Sequence, residues 1–345
     1  MSKQASNARQ VLVTGIQTTG TPHLGNLAGA IQPAIEASRA PEVRAFFFLA
    51  DYHALIGVWD AAALRRSTLE IAAAWLAFGL DPERVVFYRQ SDIPEIFELT
   101  WMLSCLTAKG LMNRAHAYKA AVADNEAAGP QDDPDRGITM GLYNYPILMA
   151  ADILMFKAGR VPVGRDQVQH LEMTRDIAAR FNHHFGEKLV IPQASIREEA
   201  AVIAGLDGRK MSKSYGNTIP LFVSRKQLHK LVMKIKTDST PPDEPKDPDG
   251  SSLFQLYRAF ATPDQTRQLA ADYRDGIGWG EVKKRLFELL DAQLAEPRER
   301  YVELTARPAE IETILRAGAT KARAEAAPFL AELREAAGFT SLGNS

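Results

Sequence analysis

Short apolar runs alternate with longer stretches of helical spacing along the first part of the chain. The runs Val11–Ile16, Ala45–Ala50 and Val85–Tyr88 are too short for helices and predict buried strands. Between them, apolar residues recur at three- and four-residue intervals, and the second of these helical stretches ends at Gly79. Strands that alternate with helices predict a parallel sheet wound by right-handed crossovers.

The pattern changes beyond the third strand. Residues 124–136 are rich in Ala, Asp, Gly and Pro, and they predict a mobile surface loop. A helix over Thr139–Lys157, a short strand over Val161–Gly164 and a long amphipathic helix over Arg165–Phe185 follow. After Ser251 the apolar positions have helical periodicity only.

These elements predict an α/β fold with two parts. We expect a Rossmann-like, parallel-sheet nucleotide-binding domain over residues 1–190 and an all-helical domain over residues 225–345. A mobile loop segment over residues 191–224 would connect them, and part of the helical region is expected to fold back on the first domain.

Composition narrows the function classes only slightly. The chain has 345 residues, of which 46% are hydrophobic and 24% charged, and a net charge of -1 gives no global basic field for nucleic acid. Its one cysteine, Cys105, excludes an internal disulfide and a cysteine-based metal site. The polar start and the absence of a bilayer-length apolar stretch predict a cytoplasmic protein without a membrane partner.

A local basic cluster follows the loop segment. A solvated helix face and an RNA-contact surface are equally good interpretations of it, and its members are Arg225, Lys226, Lys230, Lys234 and Lys236.

The tetrapeptide His23–Asn26 directly follows the first predicted strand and opens a helix. In open α/β sheets this junction binds nucleotides, because the helix N-terminus offers free N–H groups to phosphate. His23 and Asn26 can reach phosphate or ribose, and Gly25 leaves room for adenine. In isolation, the same residues would more often serve as a helix cap.

A second cluster, Lys210–Ser214, places two lysines three residues apart in a segment flanked by glycines. Such a loop suits a polyphosphate whose charge shifts as a bond to the α-phosphorus breaks. A solvated charged loop is the alternative. This pentapeptide and the upstream His23–Asn26, in this order and spacing, resemble the paired signatures of class I aminoacyl-tRNA synthetases.

The substrate is indicated by the helix that carries Tyr145, Met149 and Asp152, which lie on one face at i, i+4 and i+7. A carboxylate on that face can accept the N–H of an indole, which only donates. Core packing and an ordinary ion pair are the alternatives for Met149 and Asp152. The segment resembles the substrate helix of bacterial tryptophanyl-tRNA synthetases, as does Gly15-Ile16-Gln17; the sister tyrosyl enzymes typically carry glutamine at position 149.

The resemblance extends from about Val11 to Gly338, and it implies roles for individual residues. It implies catalytic roles for His23, Asn26, Lys210 and Lys213. It implies a tryptophan site formed by Gly15, Gln17, His53, Tyr145, Met149, Asp152, Val161, Val163 and Gln167. It implies an ATP site formed by Gln17, Thr18, Thr19, Gly25, Asn26, Gly164, Arg165, Asp166, Val202, Lys210, Met211, Ser212, Lys213 and Ser214.

The implied activity is the ligation of tryptophan to its tRNA. ATP would be the co-substrate, Mg²⁺ would be held mainly by the phosphates, and the enzyme would be a homodimer with a helical domain that reads the anticodon. Arg165 stands where many relatives have an acid, and Thr18-Thr19 replaces the commoner Pro-Ser. A tyrosine ligase, a small nucleotidyltransferase and a decayed synthetase that senses tryptophan or RNA remain the alternatives.

Overall fold

The computed structural model describes residues 10–129, 133–164, 167–196 and 203–342. Its strands are β1 (Gln10–Gln17), β2 (Val43–Ala50), β3 (Val85–Arg89), β4 (Arg160–Val163) and β5 (Gln193–Ile196). Its helices up to β4 are α1 (Leu24–Asn26), α2 (Gln32–Ser38), α3 (Asp51–Leu55), α4 (Ala61–Ala77), α5 (Pro94–Leu106), α6 (Lys109–Met112), α7 (His116–Ala127) and α8 (Met140–Leu154). The later helices are α9 (Val168–Phe185), α10 (Arg225–Met233), α11 (Ser252–Arg258), α12 (Pro263–Arg274), α13 (Trp279–Ala306) and α14 (Pro308–Ala336).

The central sheet contains β1, β2 and β3 in that order, and all of its pairs are parallel. Strand β2 is apolar on both faces, from Ala45 to Ala50, as expected for a strand covered by helices on each side. The predicted α/β class and its three strands are therefore confirmed. Strand β4 lies near β1 but pairs with β5, a strand that the sequence pattern did not predict.

Most of the predicted helices are present in the structure. Helix α4 begins after Asp60, whose carboxylate accepts from the N–H groups of Ala62 and Ala63, and its C-terminal half is fully buried. Helix α8 continues through Pro146 as expected. The helix after β1 departs from regular geometry, because a π-helical turn over Leu27–Ile31 joins α1 to α2.

The prediction of a mobile loop over residues 124–136 was wrong for residues 124–127, which are helical. Helix α7 continues to Ala127, because its alanines favour helix over loop. Residues 133–136 form a turn that is fastened to α7, since the Asn125 side-chain amide donates to the carbonyls of Pro134 and Arg136. Residues 130–132 lie outside the described part of the chain.

The C-terminal helix α14 packs across the edge strand β3 of the central sheet. The approach requires Gly318, because a Cβ there would lie 1.8 Å from the carbonyl oxygen of Phe87. Ion pairs fasten the helix on both sides of this contact, and they include Arg89–Glu312 and Arg323–Glu95. This C-terminal helix therefore covers the open edge of the sheet, next to the turn where β3 ends.

Candidate active site

The two sequence clusters that resemble synthetase signatures lie side by side. The N–H of Leu24 donates to the carbonyl of Ile219 at 3.0 Å, and the N–H of Leu221 donates to the carbonyl of Pro22 at 3.1 Å. A bridge between His23 and Pro220 completes this short antiparallel contact. The residues that follow the lysine loop (residues 205–217) thus hold this loop against the start of α1.

His23 caps the N-terminus of α1 and is buried. Its main-chain N–H donates to the Asn26 side-chain oxygen at 3.1 Å, whereas its buried ring Nδ1 has no hydrogen-bond partner among the residues that the structure describes. Burial, and to a smaller degree the charge of Lys213, lowers the pKa of His23 to about 4. The imidazole is therefore neutral at pH 7 and available for one more hydrogen bond.

Lys213 reaches the glycine-containing loop after β1. Its ammonium group donates to the carbonyl of Thr19, and its stem lies over Gly20, where a Cβ would be 3.4 Å from the lysine Cδ. Partial burial lowers the pKa of Lys213, while the negative charge of Glu70 acts in the opposite direction. The predicted cation is thus beside the predicted phosphate site. The buried hydroxyl of Thr18 lies in the same loop and has no hydrogen-bond partner within the described ranges.

Asn217 fastens the lysine loop at its base, and this role was missed in the sequence. Its side-chain oxygen accepts from the N–H of Ser212 at 2.8 Å, and its amide donates to Asp207 at 2.7 Å and to the carbonyl of Lys210 at 3.1 Å. A Cβ on Gly205 would lie 2.4 Å from this side chain. The only signal available in the sequence was the Gly216-Asn217 pair directly after the lysine cluster.

The remaining residues of the loop differ in exposure. Met211 is buried in the core and anchors the loop, whereas Lys210 and Ser214 are exposed and Ser212 is half-buried. The hydroxyls of Ser212 and Ser214 lie 2.8 Å apart. The loop therefore presents its cations and hydroxyls to solvent from a fixed base.

Asp152 on α8 is fully buried and has two protein donors. The His53 Nε2–H donates to its Oδ2 at 3.0 Å, and the Gln90 amide donates to Oδ1 and Oδ2, each at 2.8 Å. Burial raises the pKa of Asp152, and the hydrogen bonds from His53 and Gln90 oppose that rise. Gln90 was missed in the sequence, although a polar residue directly after a buried strand is a signal for a ligand site.

Tyr145, His170 and Gln167 form a second polar chain beside this carboxylate. The Tyr145 hydroxyl lies 2.6 Å from His170 Nε2, and His170 Nδ1 lies 3.0 Å from the Gln167 side-chain oxygen. Because that oxygen can only accept, Nδ1 carries the ring proton and Nε2 accepts from Tyr145. The rings of Tyr145 and His53 are 6.2 Å apart, edge to face, which links the two polar chains.

The apolar part of the predicted pocket lies around the end of β1. The ring of Phe48 lies directly over Gly15, where a Cβ would be 2.4 Å from the ring, and it stacks on Tyr88. Met149 is half-buried against the core and Val161 is buried. Phe48 is a further wall residue that was missed in the sequence, where it is one of three consecutive phenylalanines.

The remaining predicted site residues can be described by their position and exposure. Gly15 and Gln17 are exposed at the end of β1, and Gly25 and Asn26 are half-buried at the start of α1. Gly164 follows β4. The predicted residues that lie outside the described part of the chain are Arg165, Asp166 and Val202, and the side chain of Val163 is likewise not described.

The described residues contain neither a metal-binding cluster nor a membrane-spanning helix. Within residues 10–342 as described, no group of three or more His, Cys, Asp or Glu side chains is arranged to hold a metal ion. Among the described helices, none is long and apolar enough to cross a membrane.

Comparisons with known proteins give a family. A model of the class I tRNA synthetases for tryptophan and tyrosine (W and Y) matches residues 5–295. A tryptophan–tRNA ligase of Pseudomonas aeruginosa is 63% identical over 334 residues, 96% of this chain and 74% of that protein. A tryptophan–tRNA ligase of Neisseria meningitidis is 57% identical over 335 residues, 97% of this chain and 99% of that protein.

A solved structure has the same architecture. The crystal structure of tryptophanyl-tRNA synthetase from Campylobacter jejuni, complexed with ADP and tryptophan, superimposes with a TM-score of 0.83 at 42% identity. The match covers 95% of this chain and 100% of that chain.

Proposed function

The chain belongs to the class I tRNA synthetases of the tryptophan and tyrosine group, and on that premise we propose that it is a tryptophan–tRNA ligase. The observation that carries the choice of amino acid is Asp152, a buried carboxylate in the last turn of α8, the proposed substrate helix. Its Oδ1 accepts one hydrogen bond from Gln90 and can accept a second from an indole N–H. The relatives named for the same activity support the assignment.

The tryptophan site would combine this carboxylate with an apolar wall and a polar end. Asp152 would accept the indole N–H, and Gly15, Met149 and Val161 would contact the ring. Tyr145 and Gln167, which His170 connects, would hold the α-amino group. Gln17, His53 and Val163 complete the proposed tryptophan site.

In the first step, a carboxylate oxygen of tryptophan attacks the α-phosphorus of ATP, and the bond to the bridging oxygen of pyrophosphate breaks. The nucleophile is already ionised at neutral pH, so the step requires orientation and stabilisation of phosphate charge rather than a strong base. Lys213 and Lys210 would neutralise the leaving pyrophosphate. Neutral His23 would donate one hydrogen bond to a phosphate oxygen.

The nucleotide would lie between the start of α1 and the lysine loop. Asn26 and Gly25 would contact the adenosine part, as would Gly164, Arg165, Asp166 and Val202. Thr18, Thr19, Met211, Ser212 and Ser214 complete the proposed ATP site. Because the described residues provide no carboxylate cluster for a metal, Mg²⁺ would be bound mainly through the phosphates.

In the second step, a terminal ribose hydroxyl of tRNA attacks the carbonyl of the adenylate, and AMP leaves. The helices after residue 225 would bind the anticodon. We retain the division into domains at residues 190 and 225 as part of this proposal. Four lysines on and just after α10 are exposed and could meet the RNA backbone, namely Lys226, Lys230, Lys234 and Lys236. We place the reaction in the cytoplasm.

A homodimer is part of the proposal, and an exposed apolar face supports it. Trp59 is 77% exposed, Trp101 is 71% exposed and Met140 is 67% exposed. Phe97 joins α5 to α3 through a ring contact of 4.2 Å with Tyr52. A face with large exposed aromatic residues is typical of a subunit interface.

Sedimentation analysis tests the dimer. Trp101→Glu should give a monomer, whereas Val302→Glu, at a strongly exposed apolar residue on α13, should remain dimeric. A monomeric wild-type protein at micromolar concentration would contradict the dimer.

ATP–pyrophosphate exchange with each of the twenty amino acids tests the function. Only tryptophan should stimulate exchange strongly, and transfer to tRNA should follow for tryptophan tRNA alone. Exchange stimulated by tyrosine would assign the chain to the sister specificity. No exchange with any amino acid would indicate a binding protein without ligase activity.

A further inference from the structure

Gln90 lies at the point where strand β3 ends, and its side chain is fully buried. Its amide nitrogen is 2.8 Å from each oxygen of Asp152. The orientation of the amide is fixed by chemistry, because the opposite orientation would place the carbonyl oxygen of Gln90 against a carboxylate. Gln90 is therefore a donor to Asp152, and its own carbonyl oxygen is buried with no hydrogen-bond partner in the described part of the chain.

The turn that carries Gln90 is held from both sides. Arg89 pairs with Asp92 at 2.9 Å and with Glu312 of α14 at 2.8 Å. On the other side, the main-chain N–H of Ser91 donates to Asp51 at 3.0 Å. The flanking residues of Gln90 are thus each fixed to a carboxylate, so the position of the Gln90 amide is set by the fold rather than by the ligand.

The donors around Asp152 leave one acceptor position for a substrate. Among the described residues, His53 and Gln90 share Oδ2, whereas Gln90 alone donates to Oδ1. A carboxylate oxygen accepts about two hydrogen bonds, so Oδ1 retains one free acceptor position. By holding both oxygens from one side, Gln90 fixes the plane of the carboxylate and the direction of that free position.

We propose that Gln90 is a positioning residue that holds the carboxylate of Asp152 in the orientation that accepts the indole N–H, and is thereby a determinant of tryptophan specificity. The proposal rests on the tryptophan-ligase function proposed above. Gln90 would act through Asp152 without touching the reacting atoms, and its loss would weaken recognition of the ring N–H more than the chemical step.

The charge state of Asp152 gives this role a distinctive consequence. Burial raises the pKa of this carboxyl, and the Gln90 hydrogen bond is one of the contacts that oppose the rise. Neighbouring groups act as well, since His53 lowers the pKa and Asp51 raises it. Without Gln90 the pKa of Asp152 rises further, so protonation of Asp152 and loss of tryptophan binding begin at a higher pH as the pH falls.

The test compares two substrates in wild-type enzyme and in Gln90→Met, which has similar length but no donor. The substrates are tryptophan and benzothienylalanine, in which sulfur replaces the ring N–H. For tryptophan, KM in ATP–pyrophosphate exchange should rise about tenfold with little change in kcat, as for one lost hydrogen bond to a charged group. For benzothienylalanine, KM should change little, because there is no N–H for Asp152 to accept.

The pH profile is the second measurement. In Gln90→Met, the pH below which KM for tryptophan rises should be higher than in wild type. An equal rise in KM for both substrates, or an unchanged pH profile, would overturn the proposal and leave Gln90 as a packing residue. If Gln90→Met does not fold, Gln90→Glu replaces it: the new carboxyl would share a proton with Asp152 and shift the profile further in the same direction.

The wild-type enzyme separates the two proposals. Absence of tryptophan-stimulated exchange in wild type would refute the proposed function. Normal wild-type exchange with unaltered substrate selection in both Gln90 variants would refute only the role of Gln90.

Discussion

The two ends of the proposed active site are built in opposite ways. At the tryptophan end, Asp152 is fully buried and held by His53 and Gln90. At the phosphate end, Lys210 is exposed, and Lys213 donates to the main-chain carbonyl of Thr19. One end is a preformed set of hydrogen bonds, whereas the other is a set of cations on a loop.

The difference follows from what each end must do. A buried acceptor discriminates strongly, because a substrate without the matching N–H leaves a desolvated polar group unpaired, at a cost of about 1–3 kcal/mol. Phosphate charge moves during the reaction, so the groups that stabilise it have to follow it. Rigidity therefore serves selection of the amino acid, and an adjustable loop serves the chemical step. Four predictions test this contrast, beginning with the largest expected effect.

Replacing Lys213 by alanine should damage chemistry without damaging selection. Loss of one group that stabilises transition-state charge should lower kcat for adenylate formation by about 10²–10³. The KM for tryptophan and transfer from preformed adenylate to tRNA should change little, since pyrophosphate has then left. Single-turnover measurement of each step checks this, with Lys188→Ala at an exposed lysine elsewhere as control. Equal losses in both steps would assign Lys213 a structural role.

Replacing Asp152 by asparagine should have the opposite signature. The amide removes the charge and can present its NH₂ to the indole N–H, so the KM for tryptophan should rise about 10–100-fold. Discrimination against phenylalanine should fall, while the KM for ATP stays close to wild type. Glu95→Gln is the matched control, because Glu95 is also a buried carboxylate but pairs with Arg323 of α14, outside the proposed tryptophan site. Unchanged discrimination in Asp152→Asn would show that Asp152 does not recognise the indole.

A smaller effect is expected on the pKa of His23, which depends on the charge of Lys213 as well as on burial. Its pKa of about 4 should appear in an NMR titration of the ring, and Lys213→Ala should raise that value only partway to normal, because burial is the larger cause. The unfolded state binds this proton first, so the His23 contribution to folding stability should be lost as the pH falls from 6.5 to about 4.

Urea unfolding of wild type and His23→Gln across this pH range measures that contribution. The free energy of unfolding should fall more steeply in wild type as the pH falls. Parallel curves for the two proteins, or a ring that titrates near 6.5, would show that His23 is not buried in neutral form.

The sequence predicted the elements that depend on local pattern. Three strands followed from short apolar runs, and α8 followed from helical spacing in spite of Pro146. Strand β5 was not predicted, because the four residues Gln193–Ile196 contain no continuous apolar run and become a strand by pairing with β4. The loop predicted over residues 124–136 began too early in the chain, because acidic and alanine-rich residues near a proline suggested a loop where α7 continues. The proposed domain boundaries stay a prediction.

The site could be predicted where a local motif resembles a known signature. Two lysines three apart and a carboxylate on a helix face made Lys213 and Asp152 candidates, and the resemblance to synthetase signatures implied their roles. Gln90 and Asn217 could not be found in this way, since each acts on a residue that is distant in the chain or on the backbone. Gln90 is 62 residues from Asp152, and only the fold brings their side chains together.

The smallest expected effect concerns motion of the lysine loop, residues 205–217. Asn217 fastens the base of this loop to Ser212 and Asp207, so we expect motion at the tip around Lys213 and Ser214 rather than in the whole segment. ATP would supply phosphate partners for Lys210 and Lys213, and it can shift the loop only by binding the closed form more tightly. Amide exchange at residues 212–216 should therefore slow with ATP plus an unreactive tryptophan analogue, and change much less with tryptophan alone. In Asn217→Ala the base should exchange faster and ATP-dependent protection should spread over the whole loop. Equal protection of the wild-type tip with and without nucleotide would mean that the loop is preformed, and both ends of the site would then be rigid.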